Sequence, residues 1–267
     1  MKNNDIITGR KITNNNSSRF LSSVLLKRYG EARCKYNKLV QTFLKGDTVG
    51  SQVTYHHELN KINQFYPSFG LFLKKRMLVL SNENISAMTE YFSRIGIQVS
   101  RASEALSQDK TDENPVGYEL VFCNLADTNI TSKAEAVQTL TQALQNTVTS
   151  QTLALRFEGL PLTCFWHGIF FLLSQMFMNV IFVPSCWSKD VYFIIFNDCT
   201  GDSRLITGLK EHLCKLRDQL EKLPDDFDVF HVVDIGVFMQ SNYRTYMLQR
   251  VEHLAQQFSD SISKLYS

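Results

Sequence analysis

Three polar residues stand near the ends of predicted strands, where they could form a reactive or binding site. Asn124 and Arg156 each end an apolar segment, and Asp190 begins another one after a short connection. Because the carboxyl ends of parallel strands open onto a common crevice, we expect all three to converge there. The structural alternative is that Arg156 pairs with Glu158 or Asp190 as a surface bridge, while Asn124 caps the turn that follows it.

The sequence lacks the signals of a cofactor or metal site. No two of the twelve glycines lie closer than four residues apart, so there is neither a Gly-x-Gly-x-x-Gly loop nor a P-loop. The first strand–helix turn, LVLSNENISAMTEYF, offers side chains where a cofactor needs the close approach of bare backbone. The histidines lack metal-ligand spacing: His56 and His57 are expected at the surface or a helix cap, and His167 in the core. We therefore expect neither a bound cofactor nor a metal.

The bulk composition is that of an ordinary globular protein. Of 267 residues, 44% are hydrophobic and 20% charged, and the net charge of +2 permits nucleic-acid contact without requiring it. The six cysteines form no Cys-x-x-Cys pair, which favours a reduced, intracellular protein. No secretory signal is seen, and the most apolar stretch divides into a helix and a strand instead of forming a membrane span.

Helical and strand-like patterns alternate through most of the chain. Residues 1–18 are rich in Asn and Ser and predict a disordered lead, and residues 19–70 predict an N-terminal helical segment. Within that segment, GDTVGSQVTYHHELN predicts a polar connector and FYPSFG a turn. Over residues 71–267, continuously apolar strands alternate with helices. This pattern predicts an α/β domain, with a mostly parallel sheet and helices on both faces.

The last two predicted strands, NVIFVPS and DVYFIIFND, are joined by a connection that is too short for a parallel crossover. Parallel neighbours need about a dozen residues or more between them, so this pair must be an antiparallel hairpin. One reversed strand in a C-terminal hairpin of an otherwise parallel sheet is the arrangement of the Rossmann-like methyltransferases. That topology says nothing by itself about activity.

The same segments resemble a known family. Four parts of the chain resemble the second half of the FtsJ-type ribose 2′-O-methyltransferases. They are YELVFCNL through LALRFEG, the long apolar helix, NVIFVPSCWSKDVYFIIFND and the tail SNYRTYMLQRVEHLAQQF. Within that family the chain looks most like the mRNA cap-specific enzymes of eukaryotes. The family carries a Lys-Asp-Lys-Glu tetrad, whose second lysine is thought to deprotonate the ribose 2′-hydroxyl. The likeness lies in strand order and hairpin spacing more than in motif identity.

Carried over by position, the aspartate of the tetrad falls on Asn124, its second lysine on Arg156 and its glutamate on Asp190. A guanidinium keeps its proton in proteins and cannot act as a neutral base, and an amide cannot balance a cation. S-adenosylmethionine has no evident cradle at the glycine-free first turn. The resemblance therefore implies a degenerate domain without catalytic residues.

Other positions of the family pattern are kept only in part. The first lysine has no secure equivalent, and Lys27 and Lys38 are the candidates. Ser185 keeps the serine of the hairpin, while Cys186 and Trp187 replace the Arg-Pro that follows it in the family.

The resemblance implies a catalytically inactive domain that supports cap 2′-O-methylation at the second transcribed nucleotide by a larger enzyme, of which this chain would be a fragment. The implied partners are the catalytic methyltransferase domain of the same polypeptide and capped mRNA, without membrane or metal, in the nucleus and cytoplasm. S-adenosylmethionine would belong to the parent enzyme. The candidate RNA-binding residues are Lys74, Lys75, Arg76 and Arg156.

Three alternatives remain at this stage. The chain could be an active but divergent S-adenosylmethionine-dependent RNA 2′-O-methyltransferase, a pure protein-interaction module, or an unrelated α/β nucleotide-binding protein. The missing glycines disfavour the last of these. The basic run at Lys74 is equally well explained as a solvated lead-in to a strand.

Overall fold

A six-stranded mixed sheet forms the centre of the protein in the computed structural model. The structure describes residues 9–11, 21–44, 55–81, 85–101, 117–126, 132–145, 150–186, 190–200, 202–224, 227–229 and 232–265. The strands in chain order are β1 (Gly9–Lys11), β2 (Arg76–Leu80), β3 (Gln98–Arg101), β4 (Leu120–Asn124), β5 (Thr152–Glu158), β6 (Phe177–Pro184), β7 (Val191–Cys199) and β8 (Phe227–Val229). The order across the main sheet is β3-β2-β4-β5-β7-β6, and β1 pairs with β8 separately.

The strand directions confirm the predicted architecture. Strand β2 is parallel to β3 and β4, and β4 is parallel to β5. Strand β7 runs antiparallel to both of its neighbours, β5 and β6, and forms a hairpin with β6. The chain therefore has a Rossmann-like methyltransferase sheet, mostly parallel, with one reversed strand inserted near its edge.

Helices cover both faces of this sheet. They are α1 (Ser23–Leu44), α2 (Tyr55–Phe65), α3 (Ser86–Arg94), α4 (Lys133–Ala143), α5 (Cys164–Ser174), α6 (Ser203–Lys222), α7 (Ile235–Met239) and α8 (Asn242–Leu265). Two short 3-10 turns, Pro67–Phe69 and Leu71–Leu73, lead into β2. One face packs on α1, α4, α5, α6 and α8, and the other on α2 and α3.

The two-sided covering explains why the strands are apolar without interruption. Along β4, the side chains of Val121 and Cys123 enter the larger core with α1 and α8, whereas those of Leu120 and Phe122 enter the smaller core with α2 and α3. Successive residues of a strand point to opposite faces, so both sets must be apolar. The same alternation decides which polar residues at the strand ends can meet.

Some local predictions hold and others need correction. The sequence predicts that Thr131 or Ser132 begins a helix with Glu135 in its first turn, and Ser132 does begin α4 with a capping box to Glu135. In contrast, α2 (Tyr55–Phe65) lies where the sequence predicts a polar connector, and β8 and α7 were not predicted. The sequence also predicts Asn82 or Asn84 as the N-cap of the helix after β2, and both lie outside the described residues. Most of the predicted lead lies outside them too, except that Gly9–Lys11 form β1.

Candidate functional site

Asn124 and Arg156 meet at the carboxyl ends of two adjacent parallel strands. They are register partners at the ends of β4 and β5, and Arg156 Nη1 donates a hydrogen bond to Asn124 Oδ1 at 2.9 Å. The Asn124 amide also donates to Ser81 Oγ at 3.3 Å and accepts from the backbone N–H of Ala126 at 3.2 Å. Both side chains are buried, with exposed fractions of 0% for Asn124 and 6% for Arg156.

This arrangement confirms that Asn124 and Arg156 come together, and it corrects the alternative of a surface bridge. Arg156 is buried and directs a guanidinium nitrogen at a neutral amide. A guanidinium stays protonated, and an amide holds no negative charge, so neither group can take a proton from a substrate hydroxyl. Chemically, the pair can fill and order this end of the sheet.

Asp190 does not join them, so the predicted convergence of three residues is wrong for this one. Successive residues of a strand face opposite sides of the sheet, and Tyr192 packs into the larger core while Val191 packs into the smaller one. Asp190 lies two residues before Tyr192, so it faces the larger core as well. Arg156, two residues after Ala154, faces the smaller core. The sheet itself therefore separates the Asp190 carboxylate from the Asn124–Arg156 pair.

Two side chains of α1 bind Asp190 instead. Tyr29 donates its hydroxyl to Oδ1 at 2.5 Å, and Arg33 donates Nε to Oδ2 at 2.5 Å. The Tyr29 oxygen also accepts the backbone N–H of Leu160 at 3.1 Å, and Arg33 reaches Glu158 at 3.6 Å. The cation that pairs with Glu158 and Asp190 is thus Arg33 and not Arg156.

Burial dominates the electrostatics of this network. It raises the pKa of the Asp190 carboxyl, although the hydrogen bond from Tyr29 and the charge of Arg33 act in the opposite direction. Burial also raises the pKa of Tyr29 strongly, and the nearby Asp190 charge adds to that effect. A tyrosine that stays protonated is a permanent donor, so it fixes α1 against the β5–β7 end of the sheet.

A second buried carboxylate, Glu58 of α2, anchors the hairpin on the other face. Its side chain is 2% exposed and accepts hydrogen bonds from Ser185 Oγ and from the backbone N–H of Cys186, the latter at 3.1 Å. Trp187 lies outside the described residues. Glu58 was not among the residues predicted from the sequence. The available signal was the spacing of Leu59 and Ile62, which are both buried on one side of α2.

The flanks of the first strand–helix turn are described, but residues 82–84 are not. Ser81, directly after β2, accepts a hydrogen bond from the Asn124 amide at its hydroxyl oxygen, and Ile85, directly before α3, is buried in the smaller core. Both flanks therefore present side chains that are already engaged in packing or hydrogen bonding. The expectation that this turn holds no cofactor stays a prediction.

The candidate RNA-binding residues do not form one surface. Lys74, Lys75 and Arg76 lie at the amino end of β2, and Lys74 Nζ donates to the Ser150 carbonyl at 2.7 Å. Arg156 lies at the opposite end of the parallel strands, about 15 Å away at 3.3 Å per residue, and it is buried.

The two candidates for the family's first lysine, Lys27 and Lys38, are exposed on α1. Helix α1 covers the larger core, on the face of the sheet opposite the Asn124–Arg156 pair. The structure therefore brings neither lysine to that pair, and no tetrad-like group forms from the predicted residues.

Other chemical features are limited. Among the residues that the structure describes, no three His, Cys, Asp or Glu side chains come together as a metal site. Over the same residues, none of the helices has both the length and the apolar character needed to cross a membrane. The described residues include all six cysteines, and none of them forms a disulfide. Burial raises the pKa of the Cys123 thiol, so this thiol is inert.

Comparisons with known proteins give only distant structural likeness. No protein-family model matches the sequence, and the comparison with curated proteins also gives no match. A solved structure of PigF with SAH matches at 10% identity over 66% of this chain and 70% of that chain, with a TM-score of 0.29. A S-adenosylmethionine-dependent methyltransferase from Clostridium acetobutylicum ATCC 824 matches at 12% identity over 67% and 87%, with a TM-score of 0.28. The fold class stated above rests on strand order and direction.

Proposed function

We propose that this chain is a methyltransferase-like domain without methyl-transfer activity, which supports mRNA cap ribose 2′-O-methylation by a larger enzyme. Its partner is the catalytic methyltransferase domain, on the same polypeptide, and its role is to scaffold that domain. The proposal combines the mostly parallel sheet and its reversed strand with the family resemblance of roughly the last 190 residues.

The observation that carries the loss of activity is the hydrogen bond between Arg156 and Asn124. It occupies the strand ends where the family places a lysine base and its aspartate partner. A catalytic base must release and take up a proton near the working pH, which a guanidinium cannot do. The third family position, Asp190, is bound on the other face of the sheet by Tyr29 and Arg33.

Scaffolding is favoured over direct RNA contact by the positions of the basic residues. A nucleic-acid surface needs several accessible cations along one path, because phosphate contacts supply most of the affinity. Here Arg156 is buried, and Lys74 is engaged with a backbone carbonyl at the other end of the sheet.

Calorimetric titration of S-adenosylmethionine into this chain tests the proposed inactivity. We expect no saturable binding and no methyl transfer to capped RNA. Saturable binding in the micromolar range would overturn the proposal in favour of an active, divergent enzyme. The double variant Asn124→Asp/Arg156→Lys serves as a matched probe. It restores the family's residue types without restoring a glycine loop, so it should also fail to bind.

The complete enzyme offers a second test. Arg156→Gln keeps a hydrogen-bond donor toward Asn124 and removes the buried charge. We expect the rate of cap methylation by the complete enzyme to remain within about twofold of the wild-type rate. General acid–base catalysis contributes about 10²–10⁴-fold, so a fall of that size would mean that Arg156 takes part in the reaction.

A further inference from the structure

The outer edge of β6 is one of the two edges at which the main sheet ends. Strand β6 is the last in the order β3-β2-β4-β5-β7-β6, and its inner side pairs with β7. The Ser185 N–H donates to the Val191 carbonyl at 2.8 Å, so the backbone groups of Ser185 point inward. Backbone groups alternate along an antiparallel strand, so those of Pro184, Phe182 and Val180 point outward. Such an edge is a template on which another strand can pair.

Two side chains of α8 bind the outward backbone groups of Phe182. The Tyr246 hydroxyl oxygen accepts the Phe182 N–H at 3.1 Å, and Arg250 Nε donates to the Phe182 carbonyl at 2.7 Å. Residues four apart lie on the same side of a helix, which brings this acceptor and this donor to one residue of the strand. An antiparallel neighbour would bind Phe182 in the same way, through one carbonyl and one N–H. Tyr246 and Arg250 therefore take the place of a seventh strand at this residue.

Apolar packing holds α8 in the position from which it makes these bonds. Met247, Val251 and Leu254 of α8 are buried in the larger core, and the side chain of Phe182 is buried in the same core. Pro184 extends the protection along the edge, because a proline has no N–H to offer to a neighbouring strand. The helix and the proline thus act on consecutive outward positions of β6.

We propose that α8 caps the edge of β6 and prevents it from pairing with the same edge of a second copy of this chain. Two copies of one edge can pair antiparallel about a twofold axis, because the donors of each copy then meet the acceptors of the other. Phe182 lies between Val180 and Pro184, so its bound N–H and carbonyl interrupt any continuous ladder along this edge. The inference does not depend on the proposed function, because it rests on the bonds between α8 and β6.

Amide hydrogen exchange in the full chain, followed residue by residue by NMR, tests the cap itself. Tyr246→Phe keeps the aromatic ring and removes the oxygen that accepts the Phe182 N–H. We expect the Phe182 amide to exchange about tenfold faster, or more, in this variant. The Val183 amide faces β7 and is the internal control, so it should exchange at the same rate in both proteins. Equal exchange at Phe182 would overturn the assignment of the cap.

Sedimentation velocity over a series of protein concentrations tests the protective role. The double variant Tyr246→Phe/Arg250→Met removes both bonds to Phe182 and keeps most of the apolar contact area. We expect it to form dimers or larger species at concentrations at which the wild-type chain is a monomer. Adding Val180→Pro should return it to a monomer, because proline at an outward position removes a donor and leaves the bonds to β7 intact. Arg244→Met, which removes another arginine of α8, is the matched control and should stay monomeric.

Three results would overturn the protective role. A double variant that stays monomeric while its Phe182 amide exchanges fast would show that the uncapped edge does not pair. Association that persists after Val180→Pro, or that occurs equally in Arg244→Met, would place the contact elsewhere on the chain. If the double variant unfolds, the Val183 amide also loses its protection, and Tyr246→Phe alone then serves for both measurements.

Discussion

His167 makes the stability of this protein depend on pH below neutrality. Its ring lies in α5 within the larger core and is 0% exposed. Burial lowers its pKa from the ordinary 6.5 to about 3, and the nearby Pro161 carbonyl acts weakly the other way. Between pH 6.5 and about 3, His167 is therefore protonated in the unfolded chain but stays neutral in the folded chain. The stabilising contribution is complete above pH 6.5 and is lost as the pH falls toward 3.

The size of this effect follows from the difference between the two pKa values. Each pH unit below 6.5 removes about 1.4 kcal/mol, so lowering the pH to about 5 removes roughly 2 kcal/mol of the free energy of unfolding. That is a large share of the roughly 5–15 kcal/mol that stabilises a typical domain. His56 and His212, whose pKa values are also lowered by burial, add to the fall in the wild-type protein.

The variant His167→Gln isolates the contribution of this ring, because glutamine is a polar side chain that does not titrate. Urea unfolding at about pH 7 and about pH 5 gives the free energy of unfolding for each protein. The fall between the two conditions should be about 2 kcal/mol smaller in the variant, whatever its stability at pH 7. The same substitution at the exposed His253 controls for the change of side chain. An undiminished fall in His167→Gln would refute the assignment.

Three further perturbations test the site network. Tyr29→Phe removes a buried hydroxyl that both donates and accepts, so it should cost about 1–3 kcal/mol in urea unfolding; an unchanged midpoint would contradict this role. Burial and the Glu58 charge raise the pKa of the Cys186 thiol, so Glu58→Gln should speed its alkylation at about pH 8, and an equal rate would count against the contact. Gly159→Ala should destabilise the protein by about 1–3 kcal/mol, because φ is +74° and the added methyl group would lie 3.0 Å from a guanidinium nitrogen of Arg33 on α1. Gly208→Ala on α6 is the control: its methyl group would enter open space, so it should stabilise the protein by up to about 1 kcal/mol.

The architecture of the sheet could be predicted because its signals are local. Continuous apolar runs mark strands that are covered on both faces, and the short link between β6 and β7 excludes a parallel crossover. The capping box at Ser132 is likewise a short-range pattern. Helix α2 was missed because polar residues fill its exposed side, and only Leu59 and Ile62 indicate its buried one.

The candidate site was predicted only in part, for two physical reasons. The pairing of Asn124 with Arg156 follows from parallel register, but the face on which Asp190 lies depends on where the hairpin turn gives way to β7. A shift of one residue there moves a side chain to the other face, and the sequence does not fix that position. Tyr29 and Arg33 reach Asp190 from far along the chain, beyond any local pattern.

The bond between Tyr29 and Asp190 also has a consequence for the order of folding. It joins residues 161 positions apart, and closing a loop of that length costs about 4–5 kcal/mol of chain entropy. The apolar stripe of α1, which includes Leu21 and Leu25, packs in the larger core mainly against α8, which follows β7 in the chain. Helix α1 thus precedes β7 and α8 in the chain, yet it is among the last elements to pack, and it must stay soluble until both have been synthesised.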